Sequence, residues 1–168
     1  METIAVYSEP RIKTYGFHEV TGLSIIYASC AFQNLSKLGS LLINLEEHSN
    51  DFFLVLIRNL TNNPPGLYIV LKHSRQKTIC RYLNDMLSKN EKKNLVIDSS
   101  AGVIYFQGPH FGDRYGIADT AFKVLDKHNV PVLAAGCTGA SMYIVFSETW
   151  IQKAKNILNT TFESPQPS

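Results

Sequence analysis

The run Gly108-Pro-His-Phe-Gly-Asp-Arg-Tyr-Gly116 gathers the residues of this chain best suited to chemistry. His110 and Asp113 are three apart, a spacing that could relay a proton or start a metal site. Arg114 offers a planar fork for a carboxylate, and Asp113 an acceptor for an ammonium. Gly108, Gly112 and Gly116 add no Cβ and tolerate φ > 0, so a loop backbone can approach a ligand closely. A metal would want more ligands than one His and one Asp. No Ser or Cys nucleophile stands beside the pair. The expectation is therefore no catalytic residue, no metal and no cofactor, with a small enzyme using His110 and Asp113 as a remote alternative. A plainer reading stands beside these: the glycines permit a tight strand-to-helix turn, and Asp113 and Arg114 pair with each other on the surface.

The elements around this run give it a setting. Val103 to Phe106 reads as a buried strand, and Ile117 to His128 as an amphipathic helix with Ala118, Ala121, Phe122 and Leu125 at i, i+3, i+4 and i+7. The first N–H groups of a helix have no intrahelical partner, and the helix dipole favours negative charge there. A strand, a glycine loop and a helix start together suit a small anionic or zwitterionic group.

The chain has 168 residues, 45% hydrophobic and 18% charged, enough for one medium domain or two small ones. Its net charge of +2 gives no reason to expect nucleic acid or an acidic membrane surface. Cys30, Cys80 and Cys137 are odd in number and share no metal-ligand spacing. There is no signal-like start and no run near the ~18 apolar residues of a membrane span, so a cytoplasmic protein is expected.

Read in order, residues 1–22 form an extension that could add a strand or an arm. Leu23 to Ser29 is a strand, and a helix follows from Asn34 to His48 with Leu38, Leu41, Leu42 and Leu45 inward. Phe52 to Ile57 is a continuous apolar run of the kind found in central strands. Asn59 to Gly66 is a turn, Leu67 to Leu71 a strand, and Ser74 is placed to cap a helix to Ser88 with Ile79, Tyr82, Leu83 and Met86 inward. Lys89 to Lys93 reads as a solvated helix exit. Leu95 to Asp98 and Val103 to Phe106 read as two short strands. After the Ile117 helix come a strand from Val130 to Ala135, a turn over Gly136 to Gly139, a strand from Ser141 to Phe146 and a helix from Ser147 to Phe162. Glu163 to Ser168 is a polar tail.

The order repeats. Leu23 and Val103 begin matching strands 80 residues apart, and Leu67 and Met142 match at 75. The expectation is α+β: two ferredoxin-like βαββα(β) units in tandem, with antiparallel sheets and helices on one face. The expected boundaries are 1–22 for the extension, 23–92 and 93–162 for the units, and 163–168 for the tail.

Two such units in tandem resemble the paired ACT domains at the carboxyl end of aspartokinases. Gly108, the polar loop, Tyr115-Gly116-Ile117-Ala118 and the helix after it are similar to the family's glycine, loop, Pro-Gly-Val-Ala, helix pattern. The resemblance covers Leu23 to Phe162. Tyr115 stands where the family usually has proline. In the first half, Ala31 to Gly39 replaces the usual Asp-x-Pro-Gly, which marks the second copy as the ligand-bearing one.

The resemblance implies a non-catalytic regulatory protein, without a kinase domain, that binds an amino acid or similar small metabolite. It also implies a homodimer and a regulated partner such as an enzyme of amino-acid metabolism. The ligand-binding set would be Gly108, Pro109, His110, Phe111, Gly112, Asp113, Arg114, Tyr115, Gly116, Ile117 and Ala118, with Cys137 and Thr138 as a second wall. The N–H groups at the helix start suit the carboxylate, and Asp113 or loop carbonyls the ammonium. The alternative is a ligand-free interaction or structural module of the same fold.

Overall fold

The chain divides into two units, one of residues 22–101 and one joining residues 1–21 to residues 102–168. A computed structural model describes residues 11–29, 40, 43, 52–60 and 63–164 of them. Its elements are β1 (Phe17–Ser29), β2 (Phe52–Leu60), β3 (Asn63–Lys72), α1 (Gln76–Met86), α2 (Lys89–Lys92), β4 (Val96–Gln107), α3 (Ile117–Lys127), β5 (Ala134–Cys137), β6 (Ser141–Ser147) and α4 (Glu148–Thr161). The recorded ladders are antiparallel. The fold is α+β and ferredoxin-like, as the repeat implied.

In the unit of residues 22–101, the strands are ordered β2-β3-β1-β4. Leu67, Ile69 and Leu71 of β3 and Ile26 and Ala28 of β1 are buried with Ile79, Leu83 and Leu87. Phe52 to Ile57 is not central: among the described residues β2 ends the strand order, and Ile57 is 49% exposed. The interior strands of this order are β3 and β1, with β3 paired to β2 and β1. An apolar run on both faces does not distinguish a middle strand from an edge awaiting cover. The hairpin is also shorter than Asn59 to Gly66 suggested, since Leu60 already pairs with Asn63.

Ser74 does not cap α1. It lies in a 3-10 turn, His73–Arg75, and Arg75 is the N-cap with no side-chain bond. The turn is fixed from below by the buried Ser24, whose hydroxyl lies 2.9 Å from His73 Nδ1 and donates to Gln76 Oε1 at 2.9 Å. Tyr82, expected inward, is exposed. The helix exit at Lys89 to Lys93 contains α2, held by a capping box between Ser88 and Glu91. The helix expected over Asn34 to His48 lies outside the described residues except Ser40 and Ile43, which are helical.

In the other unit the order is β1-β4-β6-β5. Ile104 and Phe106 of β4 and Met142, Ile144 and Phe146 of β6 alternate onto one face. Ile117, Ala121 and Leu125 of α3 and Ile151, Ala154 and Leu158 of α4 cover it. The two strands expected at Leu95 and Val103 are one, β4. The small residues Ser99 to Gly102 read as a break, but Gly102 continues the strand. A Cβ there would meet the Ile151 side chain at 2.8 Å and Val20 O at 3.2 Å, so the glycine is what lets α4 lie down on the sheet. β5 runs over Ala134–Cys137, four residues later than the expected start at Val130.

Candidate functional site

The 108–116 loop leaves the end of β4 and is anchored by an aromatic cluster. Phe106 is fully buried, with ring centroids 4.6 Å from Phe17, 5.3 Å from Phe162 and 5.8 Å from Phe111, the last at 90°. Phe111 thus pins the middle of the loop to the core. Burying a ring of this size contributes about 1.5–3 kcal/mol, which offsets part of the entropy of ordering the loop.

Each glycine of the loop answers a separate structural demand. A Cβ on Gly108 would stand 2.3 Å from Lys13 O and 2.6 Å from Phe111 Cε1, so backbone from the start of the chain passes directly against it. A Cβ on Gly112 would stand 3.1 Å from Gly139 O. Gly116 is the N-cap of α3 at φ 85°, ψ 2°, left-handed, with open space where its Cβ would be. His110 also takes a positive φ, 64°. The chain tightens after it, with Asp113 and Arg114 N–H both donating to His110 O at 3.1 and 2.7 Å.

The side chains expected to do chemistry are placed as follows. His110 Nδ1 and Asp113 Oδ2 are 3.7 Å apart and both exposed, a pair that water screens. Arg114 and Pro109 are half-buried, and Tyr115 is 91% exposed. Ile117 is buried in the core and Ala118 packs beside it. The first bond at the start of α3 runs from Thr120 N–H to Gly116 O, and no side chain caps the helix. The N–H groups of Ile117, Ala118 and Asp119 therefore come before the first intrahelical bond. Asp119 pairs with Lys123 at 2.8 Å.

The contact between Gly112 and Gly139 brings the loop against the β5–β6 turn, next to Cys137 and Thr138. Thr138 is occupied within that turn. Its N–H donates to Ser141 O at 2.8 Å, and its Oγ1 accepts from Ala140 and Ser141 N–H at 3.4 and 3.1 Å. Cys137 is an exposed residue, but partial burial of its thiol pushes the pKa above the ordinary 9.0. An acid-shifted thiolate nucleophile is therefore not what the turn supplies. Among the described residues no three His, Cys, Asp or Glu side chains gather to hold a metal. No helix there is long and apolar enough to cross a membrane.

The residues that sequence reasoning missed lie in the extension. Tyr15 N–H donates to Gln107 O at 2.8 Å, tying the chain just before β1 to the last residue of β4. Thr14 N–H donates to Glu163 O at 2.8 Å, and Glu163 N–H to Ile12 O at 2.9 Å. Arg11 donates to the carbonyls of Thr160, Thr161 and Phe162, which closes the C-terminal end of α4 with a charge suited to its dipole. The sequence hinted at this only in that residues 1–22 could add a strand or an arm.

No protein-family model matches the chain, and no curated protein matches its sequence. Solved structures do match. The regulatory subunit of aspartate kinase from Thermus flavus superposes with a TM-score of 0.77 over 89% of this chain and 99% of that one, at 8% identity. A putative C-terminal regulatory domain of aspartate kinase from Porphyromonas gingivalis W83 gives 0.66 over 88% and 96%, at 15% identity. E. coli aspartokinase III in complex with lysine and aspartate (T-state) gives 0.54 over 94% of this chain and 35% of that one, at 10% identity. At such identities the likeness is one of fold, and the fold is that of the regulatory regions of aspartate kinases.

Proposed function

We propose that this chain is a non-catalytic regulatory module that binds an amino acid or similar small metabolite at the 108–118 loop and passes its occupancy to a partner. The observation that carries the regulatory reading is extent: the fold likeness runs over 99% of a chain that is itself a regulatory subunit. E. coli aspartokinase III, 35% of whose chain this fold covers, has been solved in complex with lysine and aspartate. The uncapped start of α3 suits a carboxylate, and Asp113 or the carbonyls of the 108–116 loop suit an ammonium. The half-buried strand β2 with Ile57 exposed is a surface on which a homodimer could close. We place the module in the cytoplasm, alongside an enzyme of amino-acid metabolism.

A second reading has an observation of its own. Gly108 is required by packing, Gly116 is favoured by its positive φ and Gly112 lies tight against Gly139 O, all with no ligand invoked. A ligand-free interaction module would keep them for those reasons alone. A thermal-shift screen against the proteinogenic amino acids separates the two. A ligand at ~100 times its Kd adds about 2.7 kcal/mol to stability. The expected result is a rise with one or a few amino acids that Asp113→Ala and Arg114→Ala abolish while the unliganded melting temperature holds. No response to any amino acid favours the ligand-free module. A response kept in both variants moves the site elsewhere.

A further inference from the structure

Residues 11–15 touch three things at once, all within the unit that holds the loop. At one end Arg11 grips the last carbonyls of α4. In the middle Lys13 bridges to Glu163, and the buried Thr14 reaches Glu163 O and, through its hydroxyl, Ser164 Oγ at 3.0 Å. At the other end Lys13 O lies against Gly108 and Tyr15 N–H is bonded to Gln107 O. Gly108 is the first residue of the loop. Phe111, the loop's anchor, crowds the same Cβ position of Gly108 and stacks edge-on against Phe106, whose other neighbours include Phe17 just beyond this segment. Gly108 leaves no slack: its missing Cβ is the space that the Lys13 carbonyl and the Phe111 ring share. If the segment shifts, the ring loses one side of its socket. If Phe111 moves, the segment loses the surface it lies on.

We propose that residues 11–15 are a strap whose attachment and the conformation of the 108–116 loop form one linked equilibrium. With the ligand reading above, on which this half rests, an amino acid in the loop tightens the strap. By reciprocity, a partner that draws the strap away weakens the amino acid by the same factor. The strap is then the route by which occupancy leaves the site.

Hydrogen–deuterium exchange on the full chain tests the linkage without any ligand. Arg11→Ala removes a group that touches α4 and not the loop. It is expected to speed exchange at the Thr14 and Tyr15 amides by about tenfold, the scale of losing charge-assisted hydrogen bonds in a local opening, and to speed Asp113 and Arg114 as well. The Leu133 amide, bonded to Val145 O in the same unit, is expected to keep its wild-type rate. Gly108→Ala attacks the strap from the other end and is expected to release the same four amides. Faster exchange at Thr14 and Tyr15 with no change at Asp113 and Arg114 overturns the linkage, as does an equal rise at Leu133, which would mean general loosening. The same four amides are then followed with each amino acid that raises the melting temperature. Protection of loop and strap together supports the proposal. Protection of the loop alone overturns it while leaving the ligand reading intact. If no amino acid raises the melting temperature, the ligand reading fails, and the Arg11→Ala result still decides the strap.

Discussion

Gly116→Ala and Gly139→Ala are the same chemical change in two backbones, and they should move stability in opposite directions. At Gly116 the residue sits at φ 85°, ψ 2° with nothing within 4 Å of the Cβ position, so the substitution meets no clash. Its cost is backbone strain, about 1–2 kcal/mol for an L-residue in the left-handed region. Replacing a glycine also narrows the unfolded ensemble, which returns about 0.4–1 kcal/mol. The net expectation is a loss of about 1 kcal/mol. Gly139 is equally open and lies outside the left-handed range, so only the unfolded-state gain remains there. Gly139→Ala should therefore stabilise by about 0.4–1 kcal/mol.

Urea titration followed by tryptophan fluorescence measures both, because Trp150, on α4 of the same unit, is the single tryptophan of the chain. At a urea dependence of about 2 kcal/mol per molar, Gly116→Ala should lower the midpoint by about 0.5 M and Gly139→Ala raise it slightly. Gly116→Asn should fall between wild type and Gly116→Ala, since asparagine tolerates the left-handed region. If Gly116→Ala and Gly139→Ala have equal midpoints, α3 does not begin on a left-handed residue, and the account of how the loop delivers its N–H groups fails.

Phe106→Ala removes the ring that Phe17, Phe111 and Phe162 share, and should destabilise this unit by about 3–5 kcal/mol in the same titration; a loss under 1 kcal/mol would refute the aromatic anchor. Burial raises the folded pKa of both Cys80 and Cys137 above 9.0, so folding favours their protonated forms. Their contribution to stability is present below pH 9 and is lost as pH rises through the folded values, and iodoacetamide should label both more slowly in the native than in the unfolded chain throughout pH 8–9. Labelling at the unfolded rate would contradict the shifts. A fragment of residues 93–168 lacks Phe17 and the strap, and should show weak near-ultraviolet circular dichroism that a peptide of residues 11–21 restores; a fully cooperative fragment alone would contradict the unit boundaries.

The sequence made the helices of the second half legible because burial there follows a 3.6-residue period. Ile117, Ala121 and Leu125, and Ile151, Ala154 and Leu158, are the buried faces of α3 and α4, although Phe122, expected on the inner face of α3, is exposed. Strand existence was legible from apolar runs, but strand extent was not. Val96 to Gln107 is one strand through Ser99, Ser100 and Gly102, and what holds it extended there is the approach of Ile151, a contact far away in sequence. β1 starts at Phe17, six residues before the expected Leu23, and runs on through Gly22 at φ 71°. Local propensity carries no information about such long-range partners.

The same limit bears on the candidate site. A glycine in a sequence reports that something comes close or that φ is positive, and it does not report which. At Gly108 what comes close is the chain's own Lys13 carbonyl. Gly108 and Gly116 are thus accounted for by the protein itself, and the proposed ligand would rest on a part of the site that the fold leaves uncapped. That is the start of α3, where no side chain caps the helix and Asp119 turns to Lys123. An N-cap serine or threonine would have satisfied a donor there at little cost in sequence, and its substitution for the glycine would forfeit the left-handed turn that aims the helix. Gly116 therefore leaves donors open for the same reason that it sets the helix direction. The carboxylate of the ligand proposed above would satisfy them without changing that turn.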